Sequence, residues 1–162
     1  IRDRISMTTI DYKNMIQKDC IFLNLKVADR HELFEQVGEK LKHIGYVKDT
    51  YVDALNEREA EFPTGLMTKY LPISLPHVDS VNVNRAFIAV VKNDKPIHML
   101  QMGSNEDMQC EYFFFLGITD SSHQVILLQK FMQLLRDKSF VDRLICINNV
   151  DDMFEFMQEK FN

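Results

Sequence analysis

An apolar run at residues 110–118 constrains the fold of this chain more than any other feature. It falls far below the roughly 20 residues that a membrane helix needs. Three consecutive phenylalanines within it favour a β-strand, and a strand that is apolar on both faces has to be covered on both faces. We therefore expect residues 110–118 to form the centre of a sheet.

Helical spacing of apolar residues predicts the segments that cover this sheet. A first helix is expected to be capped by Asp29 and ended by Gly45. A second is expected to open at Asp49 or Thr50 and to close at Pro63, because proline disfavours helical geometry in the residue before it. The apolar stripes of these two helices are Leu33, Phe34, Val37, Leu41 and Ile44, then Val52, Leu55, Ala60 and Phe62.

Three further helices are predicted in the last third of the chain. One is capped within residues 120–122, a shorter one runs from Ser139 to Leu144, and the last begins at Asp151 or Asp152. The stripe of the longest one is predicted to consist of Val125, Leu128, Met132 and Leu135, widened by Leu127, Phe131 and Leu134.

Alternation with a period of two predicts further strands. Residues 21–27 are expected to form one, and residues 71–77 a short one whose two prolines exclude a central position. Residues 86–91 are expected to turn at residues 93–96 and return through Ile97 and Met99 as a hairpin. A hairpin makes the sheet mixed, so the predicted fold class is α/β, a single-domain sandwich with a central mixed β-sheet flanked by helices.

Composition narrows the function classes. The net charge is −5, with 24 acidic and 19 basic residues, and the basic ones form no cluster of the kind that binds nucleic acid. Three cysteines without CxxC spacing, and no signal-peptide pattern, indicate a cytoplasmic protein with reduced thiols. We expect residues 1–6, before Met7, to be a leader from expression or an alternative start, and residues 7–162 to be one domain.

Histidines are the candidates for proton or phosphoryl chemistry near neutral pH. His31, His43 and His98 are expected on the surface. His77 ends a short apolar strand, a place where side chains are rigid yet reach a cleft. His123 lies in the first turn of a helix, where backbone N–H groups and the helix dipole favour an anion and a neutral imidazole.

Arg58 is the third candidate, because its helical phase places it on the stripe of Leu55 and Phe62, where an arginine needs a partner. If Arg58, His77 and His123 meet, they would form a phosphoryl site with one nitrogen as nucleophile and the other groups stabilising the oxygens. Signature motifs of nucleotide-binding, zincin and α/β-hydrolase sites are absent. A metal-dependent hydrolase with His77 and His123 as ligands, and a binding module with incidental histidines, are the alternatives.

Two segments carry a resemblance to a known family. They are REAEFPTGL at residues 58–66 and ISLPH at residues 73–77. Both closely resemble the enzyme IIA domains of the bacterial phosphoenolpyruvate:sugar phosphotransferase system, within the fructose/mannitol superfamily, and the first is most like galactitol-specific IIA proteins. The resemblance extends from about Met7 to the end of the chain, although residues 74–75 and 78–80 depart from the usual family pattern.

The resemblance implies a site and a mechanism. His77 corresponds to the phosphoryl acceptor, His123 to the second active-site histidine, and Arg58 to an arginine beside it, with Thr64 a weaker candidate donor. The implied donor of the phosphoryl group is phospho-HPr, and the implied acceptor is a cysteine of a cognate enzyme IIB. Neither transfer needs a cofactor, a metal or a nucleotide, and galactitol or a related polyol is the implied sugar. A regulatory IIA, whose phosphorylation controls binding to a target protein, is the alternative within the same family.

Overall fold

The computed structural model describes residues 9–162, in which one five-stranded mixed sheet has the strand order β1-β4-β5-β3-β2. The strands are β1 Ile21–Leu25, β2 Gly65–Met67, β3 Pro72–Ser74, β4 Phe87–Leu100 and β5 Asp107–Gly117. β1 is parallel to β4 and β3 to β5, whereas the pairs β4–β5 and β2–β3 are antiparallel. The predicted mixed sheet is confirmed.

Helices cover both faces of the sheet. They are α1 Tyr12–Met15, α2 Arg30–His43, α3 Tyr51–Glu61, α4 His123–Leu135, α5 Lys138–Cys146 and α6 Val150–Lys160. The caps at both ends of α2 are confirmed, since Asp29 Oδ1 accepts from Glu32 N at 2.9 Å and Gly45 has a φ of +86°. None of the helices in residues 9–162 has the length and apolar character that crossing a membrane requires.

The central strand separates two hydrophobic cores, as the apolar run at residues 110–118 predicts. Phe113 and Phe115 of β5 pack in the core beneath α2 and α3. Phe114 and Leu116 pack in the core beneath α4, α5 and α6. Successive side chains of a strand point to opposite faces, so this alternation puts β5 in the middle of three layers.

The predicted hairpin within residues 86–99 is wrong. β4 continues from Phe87 to Leu100 with one register irregularity between Lys92 and Ile97, and its hairpin partner is β5. Asn93, in this irregularity, is fully buried: its Oδ1 accepts from Val27 N at 2.9 Å and its Nδ2 donates to Val27 O at 3.0 Å and to Lys95 O at 2.9 Å. A residue typical of turns here satisfies neighbouring backbone groups, so the chain passes on without reversing.

The apolar stripes of two helices also differ from prediction. On α4 the buried residues are Leu127, Phe131 and Leu135, whereas Val125 is 61% exposed. On α3, Phe62 follows the last helical residue and is 56% exposed. Helical spacing fits more than one stripe when apolar residues are abundant, and only the position of the sheet selects the buried one.

Two smaller points concern the ends of elements. α5 and α6 begin at Lys138 and Val150, with Asp137 and Asn149 as their caps, so both start one residue or so before the predicted positions. β3 lies between β5 and the edge strand β2, so it is an interior strand despite its two prolines. Pro72 pairs with Met67 of β2, whereas the ladder with β5 holds only Ile73 and Ser74. The predicted leader at residues 1–6 lies outside the described residues.

Candidate functional site

The carboxyl ends of the parallel strands β3 and β5 lie side by side at one edge of the sheet. Just past β3, His77 pairs with Leu116 of β5, whose N–H donates to Pro76 O at 2.9 Å. Just past β5, the chain enters α4 at His123. Open α/β sheets place binding sites at the carboxyl ends of their strands. The topology therefore brings His77 and the first turn of α4 into contact beyond the same ends of these strands.

The hydrogen bonds of His77 define its tautomer. The side chain is 6% exposed, and its Nδ1 lies 2.7 Å from the carbonyl oxygen of Leu75. A carbonyl oxygen only accepts hydrogen bonds, so Nδ1 carries the proton of the neutral ring. Nε2 then holds the lone pair, and it lies 3.2 Å from Nε2 of Gln124, an amide donor. The ring thus directs an unprotonated nitrogen toward the first turn of α4.

The surroundings of His77 also favour the neutral ring. Burial lowers the pKa of His77 below its usual 6.5, and the charge of Arg58 lowers it further, whereas the Leu75 carbonyl and Asp79 act in the opposite direction. A neutral imidazole at physiological pH is the form that can act as a nucleophile.

Arg58 pairs with Asp79, as expected for an arginine that does not lie on the solvated side of its helix. Its Nη1 lies 3.3 Å from Oδ1 of Asp79, two residues after His77, and its guanidinium stacks 5.5 Å from the Phe62 ring centroid. Arg58 Nε is buried without a hydrogen-bond partner among the described residues. Arg58 and Asp79 line a cleft of about 400 Å³. A guanidinium near a nucleophile can bind an anionic group when some of its N–H donors are unbonded.

His123 lies at the start of α4, as predicted. Asp120 shapes this helix start, accepting from Ser122 N at 3.0 Å and from Ser122 Oγ at 2.7 Å, and these bonds lower the pKa of Asp120. His123 Nε2 is 3.7 Å from Asp120 Oδ2, and within residues 9–162 this buried nitrogen has no hydrogen-bond partner. It is free to take one.

Thr64 belongs to a buried network below the site. The carboxylate of Glu59 accepts from Thr64 N at 2.8 Å and from Thr64 Oγ1 at 2.7 Å, and Thr64 Oγ1 lies 2.9 Å from Ser74 Oγ. Thr64 O also accepts from Leu75 N at 3.1 Å. With its hydroxyl hydrogen committed to Glu59, Thr64 supports the strand that leads to His77, and its direct contact with a phosphoryl group stays a prediction.

The other histidines lie on the surface, as predicted. His31 and His43 are exposed, and His98 pairs with Asp107 at 2.7 Å on the exposed side of β4. Among residues 9–162, no group of three histidine, cysteine, aspartate or glutamate side chains is placed to hold a metal ion.

Sequence reasoning missed two contacts of this site. The sequence patterns assign no role to Gln124, and Asp79 enters only within residues 78–80, which depart from the usual family pattern. Signals for both existed, since Gln124 follows His123 in the first helical turn and Asp79 is an acid two residues from the candidate nucleophile. Neither signal says which side chain reaches His77 or Arg58.

Comparison with known proteins shows the family of this chain. Residues 14–160 match the family described as phosphoenolpyruvate-dependent sugar phosphotransferase system, EIIA 2. The chain belongs to this family, so it is a phosphotransferase and a phosphoryl carrier of a sugar phosphotransferase system.

Individual relatives narrow the comparison. The galactitol-specific EIIA component of Escherichia coli K12 is 28% identical over 123 residues, which are 76% of this chain and 82% of that protein. The crystal structure of mannitol IIA from Escherichia coli matches with a TM-score of 0.70 at 22% identity, covering 87% of this chain and 97% of the other. The Escherichia coli complex of mannitol IIA with phosphorylated mannitol IIB matches at a TM-score of 0.66 and 23% identity, covering 92% and 96%. The predicted family and fold class are confirmed.

Proposed function

We propose that His77 accepts a phosphoryl group from phospho-HPr and passes it to a cysteine of a cognate enzyme IIB. In the first step the Nε2 lone pair attacks phosphorus, a new N–P bond forms, and the electron pair of the broken N–P bond stays on the HPr histidine. In the second step a cysteine thiolate attacks, an S–P bond forms, and the electron pair returns to His77 Nε2.

The observation that carries this proposal is the hydrogen-bonding pattern of His77. The Leu75 carbonyl holds the proton on Nδ1, which leaves Nε2 as an unprotonated nucleophile facing the first turn of α4. Arg58 Nε and His123 Nε2 are buried nitrogens without a hydrogen-bond partner among residues 9–162, and such groups suit the charge that spreads over the phosphoryl oxygens in the transition state.

Two relatives support the proposed acceptor and the proposed sugar. One solved relative is mannitol IIA in complex with phosphorylated mannitol IIB, which supports a IIB as the partner that receives the phosphoryl group. A galactitol-specific EIIA component is among the similar proteins, which supports galactitol or a related polyol as the transported sugar. We propose the cytoplasm as the place where these transfers occur.

The test is phosphorylation by phosphoenolpyruvate, enzyme I and HPr, followed by intact-mass and acid-lability analysis. Wild type is expected to gain one acid-labile phosphoryl group, and His77→Ala none. His98→Ala, which removes an exposed histidine, is the matched control and should be labelled like wild type. Labelling of His77→Ala would place the acceptor elsewhere.

A second stage separates transport from regulation. Phosphorylated protein is mixed with candidate IIB domains and with the same domains carrying Ser in place of the cysteine. Transfer to the cysteine alone supports the transport role. Phosphorylation without transfer to any IIB, together with phosphorylation-dependent binding to another protein, would favour the regulatory role.

A further inference from the structure

Gln124 contacts the nitrogen of His77 that is expected to react. It lies in the first turn of α4, its side chain is half-buried, and its Nε2 is 3.2 Å from the nucleophilic Nε2 of His77. The two residues are 47 positions apart in sequence. Of the described side chains, it is Gln124 that hydrogen-bonds the nitrogen expected to receive phosphorus.

The direction of this hydrogen bond follows from the other side of the ring. Since the Leu75 carbonyl keeps the proton on His77 Nδ1, a neutral ring has only a lone pair at Nε2. The amide nitrogen of Gln124 must therefore face it and donate. The flipped amide would present an oxygen and would require a doubly protonated, charged ring, which the burial of His77 opposes.

We propose that Gln124 is a phosphoryl-site residue. Its amide N–H first donates a hydrogen bond that holds the His77 lone pair in the attacking orientation, and then donates to an oxygen of the bound phosphoryl group. The inference rests on His77 being the phosphoryl acceptor. Gln124 touches the reacting nitrogen, so its role is in the chemical step rather than in folding alone.

The entering phosphoryl group has to displace the Gln124 amide from His77 Nε2. The amide nitrogen of Gln124 lies where the entering phosphorus has to approach Nε2, so its hydrogen bond must break as the N–P bond forms. The three phosphoryl oxygens arrive around the same axis, so the released N–H has an acceptor nearby. The donor changes partner without becoming unsatisfied, which avoids the cost of a lone buried polar group.

A neutral amide suits a carrier that must release what it binds. Arg58 already supplies a fixed positive charge near His77. A second cation would hold the phosphoryl dianion more strongly, whereas a carboxylate would repel it and would favour a protonated Nε2. Glutamine donates a hydrogen bond and adds neither a positive nor a negative charge to the site.

The experiment compares Gln124→Glu with Gln124→Leu, and uses Gln129→Glu as the matched control. Gln129 is exposed on the same helix, so it receives the same new charge away from His77. NMR spectroscopy of the His77 ring nitrogens reports tautomer and pKa in the unphosphorylated protein. Rapid-quench phosphorylation by phospho-HPr gives the rate, and thermal unfolding verifies that each variant is folded.

Gln124→Glu is expected to raise the His77 pKa by a unit or more and to slow phosphorylation by about 100-fold, the size of losing one transition-state donor. Gln124→Leu is expected to slow phosphorylation while leaving the proton on Nδ1, and Gln129→Glu to behave like wild type. Folded Gln124→Glu protein with the pKa and rate of Gln129→Glu would overturn the inference. A wild type that is not phosphorylated on His77 would instead refute the proposed function.

Discussion

Glu59 is a buried carboxylate beneath the site, and its replacement by alanine should destabilise the protein strongly. The side chain is 3% exposed and joins α3, the helix of Arg58, to the turn before β2. It accepts both the backbone N–H and the hydroxyl of Thr64. Through Thr64 and Ser74 it also supports β3, the strand that leads to His77.

The expected loss follows from these bonds. Hydrogen bonds to a charged group contribute about 1.5–3 kcal/mol each, and two are lost in Glu59→Ala. Thr64 N–H is left buried without its acceptor, while removal of the buried charge returns part of the cost. We expect a net loss of about 2–4 kcal/mol in the free energy of unfolding, or roughly 5–15 °C in Tm.

Glu59→Gln should behave differently, since the amide can accept from Thr64 N and donate to Thr64 Oγ1. Burial raises the pKa of Glu59 above 4.5, so the folded protein holds this proton more tightly than the unfolded chain. The raised pKa of Glu59 therefore adds to the free energy of unfolding in full at pH values below 4.5, and this contribution is lost as pH rises through the folded pKa. Glutamine does not ionise, so the stability of Glu59→Gln relative to wild type should increase as pH rises from 4.5.

The assay is urea unfolding followed by far-UV circular dichroism at several pH values, because the chain has no tryptophan for fluorescence. Glu61→Ala, which changes an exposed acid at the end of the same helix, is the control and should cost less than about 0.5 kcal/mol. The reasoning fails if Glu59→Ala is as stable as Glu61→Ala, or if Glu59→Gln loses as much as Glu59→Ala.

Three further predictions concern the cleft. His123→Ala should leave the acid-labile phosphoryl group on His77 but slow its transfer by about 10²–10³-fold in rapid-quench measurements; an unchanged rate would make His123 a structural residue. Arg58→Gln should raise the His77 pKa in an NMR titration, since the charge of Arg58 lowers it, and Asp79→Asn should lower the pKa further; shifts of the reverse sign would contradict the electrostatics. Phosphorylation of wild type should be independent of pH from about 8 to 6.5 and should fall only below the lowered His77 pKa, whereas a decline beginning above 6.5 would show that the ring is not kept neutral.

Local pattern predicted much of this protein. The central strand, the cap and terminating glycine of α2, and the position of His77 after a short proline-bounded strand are all recognisable from neighbouring residues. They depend on side-chain period, on capping chemistry and on proline geometry, which act over a few residues. The resemblance in residues 58–77 added the family.

The hairpin shows where local pattern is insufficient. Asn93, Asp94 and Pro96 have the composition of a turn, yet β4 passes through them because Asn93 bonds the backbone of Val27. The two residues are 66 positions apart, so this competition is invisible in the sequence. The choice of the buried side of α4 has the same origin, since it depends on where the sheet lies.

Patterns of neighbouring residues predicted the alternation of strands and helices and the presence of a histidine and an arginine suited to phosphoryl chemistry. The sheet is mixed for a different reason than expected, because the hairpin predicted within residues 86–99 does not form and β4 pairs with β5 instead. The pairing of Asp79 with Arg58 and the hydrogen bond from Gln124 to His77 depend on how distant segments pack together. These contacts join residues 21 and 47 positions apart, and the second forms because the chain leaves β3 and β5 side by side at the same end of the sheet. Side-chain contacts of a few ångströms depend on that packing, and no local rule of sequence contains it.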